Sequence, residues 1–296
     1  MTDQLYVATD ARGVQRFDEL EVVWGLPEGT TPGAETSGAE LELRDAATLI
    51  EELGERIFVA EPSGGEDADP RPGVVRTSSA RLIRETAWDT ERAARLALDC
   101  AEHVLDEAAT ATLPGGATLA EVIAEARTVL ERSSEHAEQR LGVLARLSAA
   151  RRLRHHGDEL GDAAFDTLHA DTEAEIEALD DPEWGTIAAV RDAVLGAVEA
   201  VRHLALPRYV EARERAFAEG VDEASGTREA PRGMLMTPWG PITLGVEHQA
   251  GFAPSWIAAR DATSRARDVA RARLGDEGAA AELAWQAARL EALLSE

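Results

Sequence analysis

Asp99, His103, Asp106 and Glu107 recur at three- and four-residue steps in the segment LDCAEHVLDE. On a helix, such steps set side chains next to one another. A histidine flanked by carboxylates can act as a general base near neutral pH, or it can ligate a metal. The competing reading is a solvated helix face carrying an ion-paired histidine. With 56 acidic residues in the chain, chance triads of this kind are expected. The other histidines are His136, His155, His156, His169, His203 and His248, and none sits in H-E-x-x-H or a ferritin-type Glu-x-x-His pair. The sequence therefore predicts no metal centre and no cofactor. His155 and His156 follow Arg151, Arg152 and Arg154, which suits the negative end of a helix dipole.

Cys100 is the only cysteine, so an intrachain disulfide and a Cys-rich zinc site are excluded. It falls on an apolar helical stripe with no cation beside it, which predicts a small buried hydrophobe rather than a nucleophile. The chain has no G-x-S-x-G, no P-loop and no G-x-G-x-x-G. No catalytic residues are assigned. Of the six tryptophans, Trp88, Trp184, Trp256 and Trp285 fall in or at the start of expected helices and read as bulky core fillers. Trp239 lies between Pro238 and Gly240-Pro241, at an expected turn tip where an exposed aromatic could anchor a partner.

The elements that must position these groups follow from composition and periodicity. Hydrophobic residues make up 44 % of the 296 and aromatics only 4 %, and the alanine-rich remainder favours helix. The spacing predicts a mainly α protein: a multi-helix bundle with a small N-terminal α/β unit and a short β-hairpin insert. In the α/β unit, residues 1–61, Leu5–Thr9 and Val14–Phe17 are expected to form a hairpin across Asp10-Ala11-Arg12-Gly13. Residues 62–77, rich in Pro, Gly, Asp and Glu, read as a linker. The helical domain is expected over 78–296.

In that domain Leu96, Cys100 and Val104 form the stripe of a first helix. Thr118 and Glu121 form a capping-box pattern opening a second, which carries Ile123, Leu130 and Leu141 and ends near Gly157. These six apolar residues are expected to share one core. A third helix is expected over about Asp162–Leu179. A fourth starts at Asp181-Pro182 and meets Pro207. Two last helices are separated by Gly275. The insert, near 221–253, contains Met234–Leu244 as a candidate hairpin.

Two segments resemble a known family. Asp99, Cys100, Ala101, Glu102, Val104 and Leu105 match a D-C-A-E-x-V-L run, and Trp285, Gln286, Arg289 and Leu290 match a W-Q-x-x-R-L helix. On these motifs the stretches Trp88–Leu105 and Trp285–Leu294 resemble the Ala-rich helical family of Imm-5-like immunity proteins, found mostly in actinobacteria and related GC-rich bacteria. The resemblance implies an all-α domain and carries over no catalytic residues. It covers the two ends of the region from about Arg84 to Glu296, and the 221–253 insert departs from the family pattern.

The charge narrows the partner. All 30 basic residues are arginine, and the net charge is −26. Such a surface repels nucleic acid and anionic membrane, and it attracts a basic protein. No basic leader and no run of about 18 apolar residues is seen, so a cytoplasmic location is expected. The sequence points to a non-enzymatic binding or immunity-type protein whose acidic helical surface meets a basic, toxin-like partner. Asp99, Glu102, His103, Arg289 and Trp239 are the expected contacts. The alternatives are a metal-dependent helical-bundle hydrolase or transferase, and a structural or assembly subunit.

Overall fold

The structure, a computed structural model, describes residues 4–17, 20–68, 71–132, 134–156, 173–179, 185–218, 234–237, 239–243 and 253–296. Its N-terminal third is a closed antiparallel β-barrel. Strands β1 (Leu5–Thr9), β4 (Thr36–Arg44), β5 (Arg56–Pro62) and β7 (Val74–Glu85) pair in the order β4-β1-β5-β7, and β7 returns to pair with β4. The closing ladder sets Leu41 opposite Thr77, Leu43 opposite Val75 and Arg44 opposite Val74. Closure leaves β1 without a free edge, which removes a site for unwanted strand pairing.

Alternation sorts the barrel side chains into two sets. Val7, Leu41, Leu43, Phe58, Ala60, Ala80 and Leu82 pack with Trp24 inside the barrel. Tyr6, Ile57 and Val59, one residue out of phase, join the core shared with the helices.

The expectation of a mainly α bundle with a small N-terminal α/β unit is corrected here. The β part does not stop near Glu61. Short strand β6 (Glu66–Ala68) and the first half of β7 occupy the stretch read as a linker, and β7 runs past Ser78 to Glu85. Composition misled because β7 is short of bulky residues. Val74, Thr77, Ala80 and Leu82 supply its buried positions, Val75 and Ile83 are only half-buried, and arginine, serine and glutamate fill the rest. The expected first hairpin is also corrected. The chain does turn at Asp10, whose carboxylate accepts from the backbone N–H of Arg12 (2.8 Å) and Val14 (2.9 Å). However, β1 pairs on both edges with β4 and β5, so β2 (Val14–Phe17) pairs instead with β3 (Leu20–Val23).

After the barrel the chain is helical. Asp89 caps α2 (Thr90–His103) by accepting from the Arg92 N–H, and short α1 (Ala46–Leu49) is capped in the same way by Asp45. The Thr118–Glu121 capping box opens α3 (Leu119–Glu131). The single long helix expected from there is two, because Arg132 takes an extended conformation and α4 begins afresh at Glu135, running to His156. Then come α5 (Glu173–Leu179), α6 (Gly185–Ala218, with Pro207 inside it) and α7 (Ser255–Ser295). In α7, Gly275 breaks the helical angles at φ 71°, a conformation that costs glycine little. Between α6 and α7, strands β8 (Met234–Thr237) and β9 (Gly240–Thr243) form the expected hairpin. Most of the expected third helix, the Asp181-Pro182 start and most of the insert lie outside the described residues.

Leu96, Cys100, Val104, Ile123, Leu130 and Leu141 all lie in one buried cluster, and Leu49, Ile50 and Leu53 from beneath the barrel join it. Barrel and helices thus share a core. Polar ties cross the same seam: the Trp88 indole N–H donates to the Gly54 carbonyl at 3.0 Å, and the Ala87 N–H donates to the Leu294 carbonyl. Among the described residues, no helix is long and apolar enough to cross a membrane.

Candidate interaction face

The two family-like segments, nearly two hundred residues apart in sequence, pack against each other as α2 and the second half of α7. The stripe Leu96, Cys100 and Ala101 on α2 and Leu290, Leu293 and Leu294 on α7 supplies the apolar contact. The polar members of both motifs line its edge. Asp99 is the junction. Its Oδ1 accepts from Arg127 Nη2 at 2.5 Å and its Oδ2 from Arg289 Nε at 2.6 Å. Arg127 also donates to Glu102 at 2.6 Å. Burial works against the Arg127 charge, but the hydrogen bonds to Asp99 and Glu102 outweigh it and raise its proton affinity.

One turn further along α2, the His103 ring stacks on the Trp285 indole, with centroids 3.9 Å apart and planes 2° from parallel. His103 Nδ1 meets the buried Glu282 carboxylate at 2.7 Å. Glu282 also accepts from Gln286, which in turn donates to the Thr263 carbonyl and accepts from Arg267. The motif glutamine therefore ties α7 back on its own first half.

Of the expected contact residues, four converge on this face: Asp99, Glu102, His103 and Arg289. Glu102 and His103 stay open to solvent, with side chains 56 % and 43 % exposed. Trp239 does not belong with them. It is 1 % exposed and packs in the core, while its carbonyl accepts from Arg146. The expectation of an exposed anchor there is corrected: an indole between two prolines tucks under the bundle, because burying so large an apolar surface outweighs displaying it. The aromatic surface on the interaction face is the His103–Trp285 stack, with Trp285 half-buried. The expectation of Trp285 as a core filler is corrected in part, since the indole is half-buried and shows one face to the His103 ring. Arg127 and Glu282 were not legible, because only the packing of α3 and α7 on α2 brings them in.

The expected triad divides. Asp99 is consumed by two arginines, and Asp106 pairs with Arg273 across to α7. Among the described residues, no group of three or more His, Cys, Asp or Glu side chains is placed to hold a metal. From the absence of a metal-ligand spacing motif in the sequence, purified protein is expected to carry no stoichiometric zinc, iron or manganese by elemental analysis. A full equivalent of any of them, lost in His103→Ala, would overturn this. Cys100 is fully buried, and its thiol is pushed well up by burial, then by the Glu282 and Asp99 carboxylates, which leaves no thiolate for nucleophilic chemistry.

A second buried polar group lies among α4, α6 and α7. The Glu199 carboxylate accepts from the Ser148 hydroxyl (2.8 Å) and from the Ala253 N–H (2.7 Å). Arg202 beside it is pushed down to about 9 by burial, against the pull of Glu199, and so stays charged at neutral pH. These contacts fix the start of α7 on α6.

No family model, no curated protein and no solved structure matches the chain.

Proposed function

We propose that this protein is a non-enzymatic binding protein of the immunity type, whose acidic helical surface engages a basic protein. The observation that carries this reading is how the arginines are spent. From Arg12 in the barrel to Arg289 in the last helix, guanidinium after guanidinium is held by a carboxylate of the same chain. With 30 arginines against 56 carboxylates, pairing leaves an excess of anions to set the outward field. Such a field slows nucleic acid and hastens a basic partner.

The face formed by α2 and α7 suits the contact. Glu102 and Asp106 offer exposed carboxylates, with side chains 56 % and 74 % exposed. The His103–Trp285 stack between them offers a rigid, partly apolar surface of the kind that gives contacts their affinity. A toxin that acts on nucleic acid would present the complementary basic patch. A cytoplasmic setting fits this reading.

Capture on immobilised protein from the source cells at low salt tests the partner class. The expected product is a protein of high isoelectric point, retained by the parent and weakened by the paired change Glu102→Arg, Asp106→Arg. Recovery of nucleic acid, or a partner indifferent to those two reversals, would contradict the proposal.

A further inference from the structure

A large cavity lies away from that face, in the seam between the barrel and the start of α7. Its volume is about 670 Å³, within the range of small-molecule sites. The β1–β2 turn, β4 and the segment after α1 form one side of it, and Trp256 and Arg260 of α7 form another. Four arginines and five carboxylates line it, against 30 and 56 in the whole chain. The seam is thus close to neutral in a strongly anionic protein.

The partners of these groups say what is missing. Glu42 already accepts from Arg44, Arg71 and Arg76, and Asp10 is taken by Arg12 and two backbone N–H groups. Among the arginines, Arg16 pairs with Glu21 and Arg71 with Glu42, and donor capacity remains on Arg44 and Arg260. Arg44 has a side chain only 5 % exposed; its Nη2 serves Glu42 and Glu52, and its Nε–H is buried with no acceptor. An unmet buried donor costs about 1–3 kcal/mol. Arg260 lines the cavity from α7; its carbonyl accepts from the Thr263 hydroxyl, but its guanidinium makes no hydrogen bond or ion pair among the described residues. Trp256, one helical turn before it, is half-buried, and its indole N–H is also without an acceptor among them.

We propose that this seam binds a small molecule with an oxyanion head group, carboxylate or phosphate monoester, held by Arg260 and Arg44, with a planar apolar part against Trp256. The cavity is several times larger than a bare anion, and the aromatic wall sits one turn from the guanidinium, so the head group belongs to a larger molecule. This site is independent of the protein-binding face, and its failure leaves that reading untouched.

Calorimetric titration of the full chain with phenyl phosphate, benzoate, benzylamine and inorganic phosphate tests it. Phenyl phosphate or benzoate should bind saturably at one site, and the tighter of the two identifies the head group. Benzylamine should not bind, and inorganic phosphate should bind more weakly than the best aromatic probe. Arg260→Gln, which removes no intramolecular bond, should keep the parent's melting temperature and weaken the aromatic anion about tenfold or more. Trp256→Phe should retain most of the affinity and Trp256→Ala should lose it. The proposal is overturned if neither aromatic anion saturates, if benzylamine binds as well as they do, if inorganic phosphate matches them, or if Arg260→Gln leaves their affinity unchanged.

Discussion

Leu96→Asp is expected to lower the melting temperature by on the order of 10–20 °C or to abolish cooperative melting. Leu96 is fully buried on α2, within the cluster that joins α3, α6, α7 and the underside of the barrel. Removing the leucine forfeits about 2–5 kcal/mol of packing. The aspartate must then sit in an apolar layer, where an unpaired carboxylate costs several kcal/mol more or takes up a proton. Domains of this kind are stable by only about 5–15 kcal/mol in total. Leu96→Met keeps the volume and should cost less than about 1.5 kcal/mol. Thermal melts of the two variants beside the parent check the assignment. If Leu96→Asp melts like the parent, the shared core is wrongly placed.

The next largest effect is expected at the junction between α2, α3 and α7. Asp99→Ala should destabilise by about 1–3 kcal/mol, after allowance for the partial exposure of its partners. The Asp99 side chain is 12 % exposed and is the anion between Arg127 and Arg289, which are 29 % and 30 % exposed. Without it the two guanidinium groups lose the carboxylate between them, and only the exposed Glu102 remains, on Arg127. Glu102→Ala touches the same Arg127 but from solvent, and it should stay within about 0.5 kcal/mol of the parent. A double-mutant cycle of Asp99→Ala with Arg289→Ala should show coupling of about 0.5 kcal/mol or more. Chemical denaturation of the set decides the point. Equal losses at Asp99 and Glu102 would mean that the junction is not what holds the helices together.

These two sites also mark what was legible in the sequence. The α2 stripe could be read because three-and-four spacing reports directly on which face is buried, and Leu96, Cys100 and Val104 lie where that spacing puts them. The Thr118–Glu121 box and the Gly275 break were legible for a similar reason: each is a local device with its own backbone geometry. The closed barrel was not. Its last strand draws its buried positions from Val74, Thr77, Ala80 and Leu82 among arginines and serines. Only pairing with β4 and β5, both distant in sequence, makes such a segment a strand. On the interaction face, Asp99 and Arg289 were visible as motif members, but their role as one ion-paired junction depends on Arg127 from α3. Trp239 shows the opposite failure, since turn residues around an indole say nothing about whether the turn lies on the surface or against the bundle. The Arg44–Trp256–Arg260 seam had no sequence signature, because it exists only where the barrel meets α7.

The central claim is that the excess of carboxylates steers a basic protein to the α2–α7 face. The association rate of the captured partner, followed by stopped flow from about 0.01 to about 0.5 M salt, tests it most directly, because screening shortens from about 30 Å to a few ångströms over that range. The rate should fall steeply with salt while dissociation changes little, and the pair Glu102→Arg, Asp106→Arg should slow association at low salt and flatten the dependence. An association rate that ignores salt, or one that the two charge reversals leave unchanged, would contradict the account.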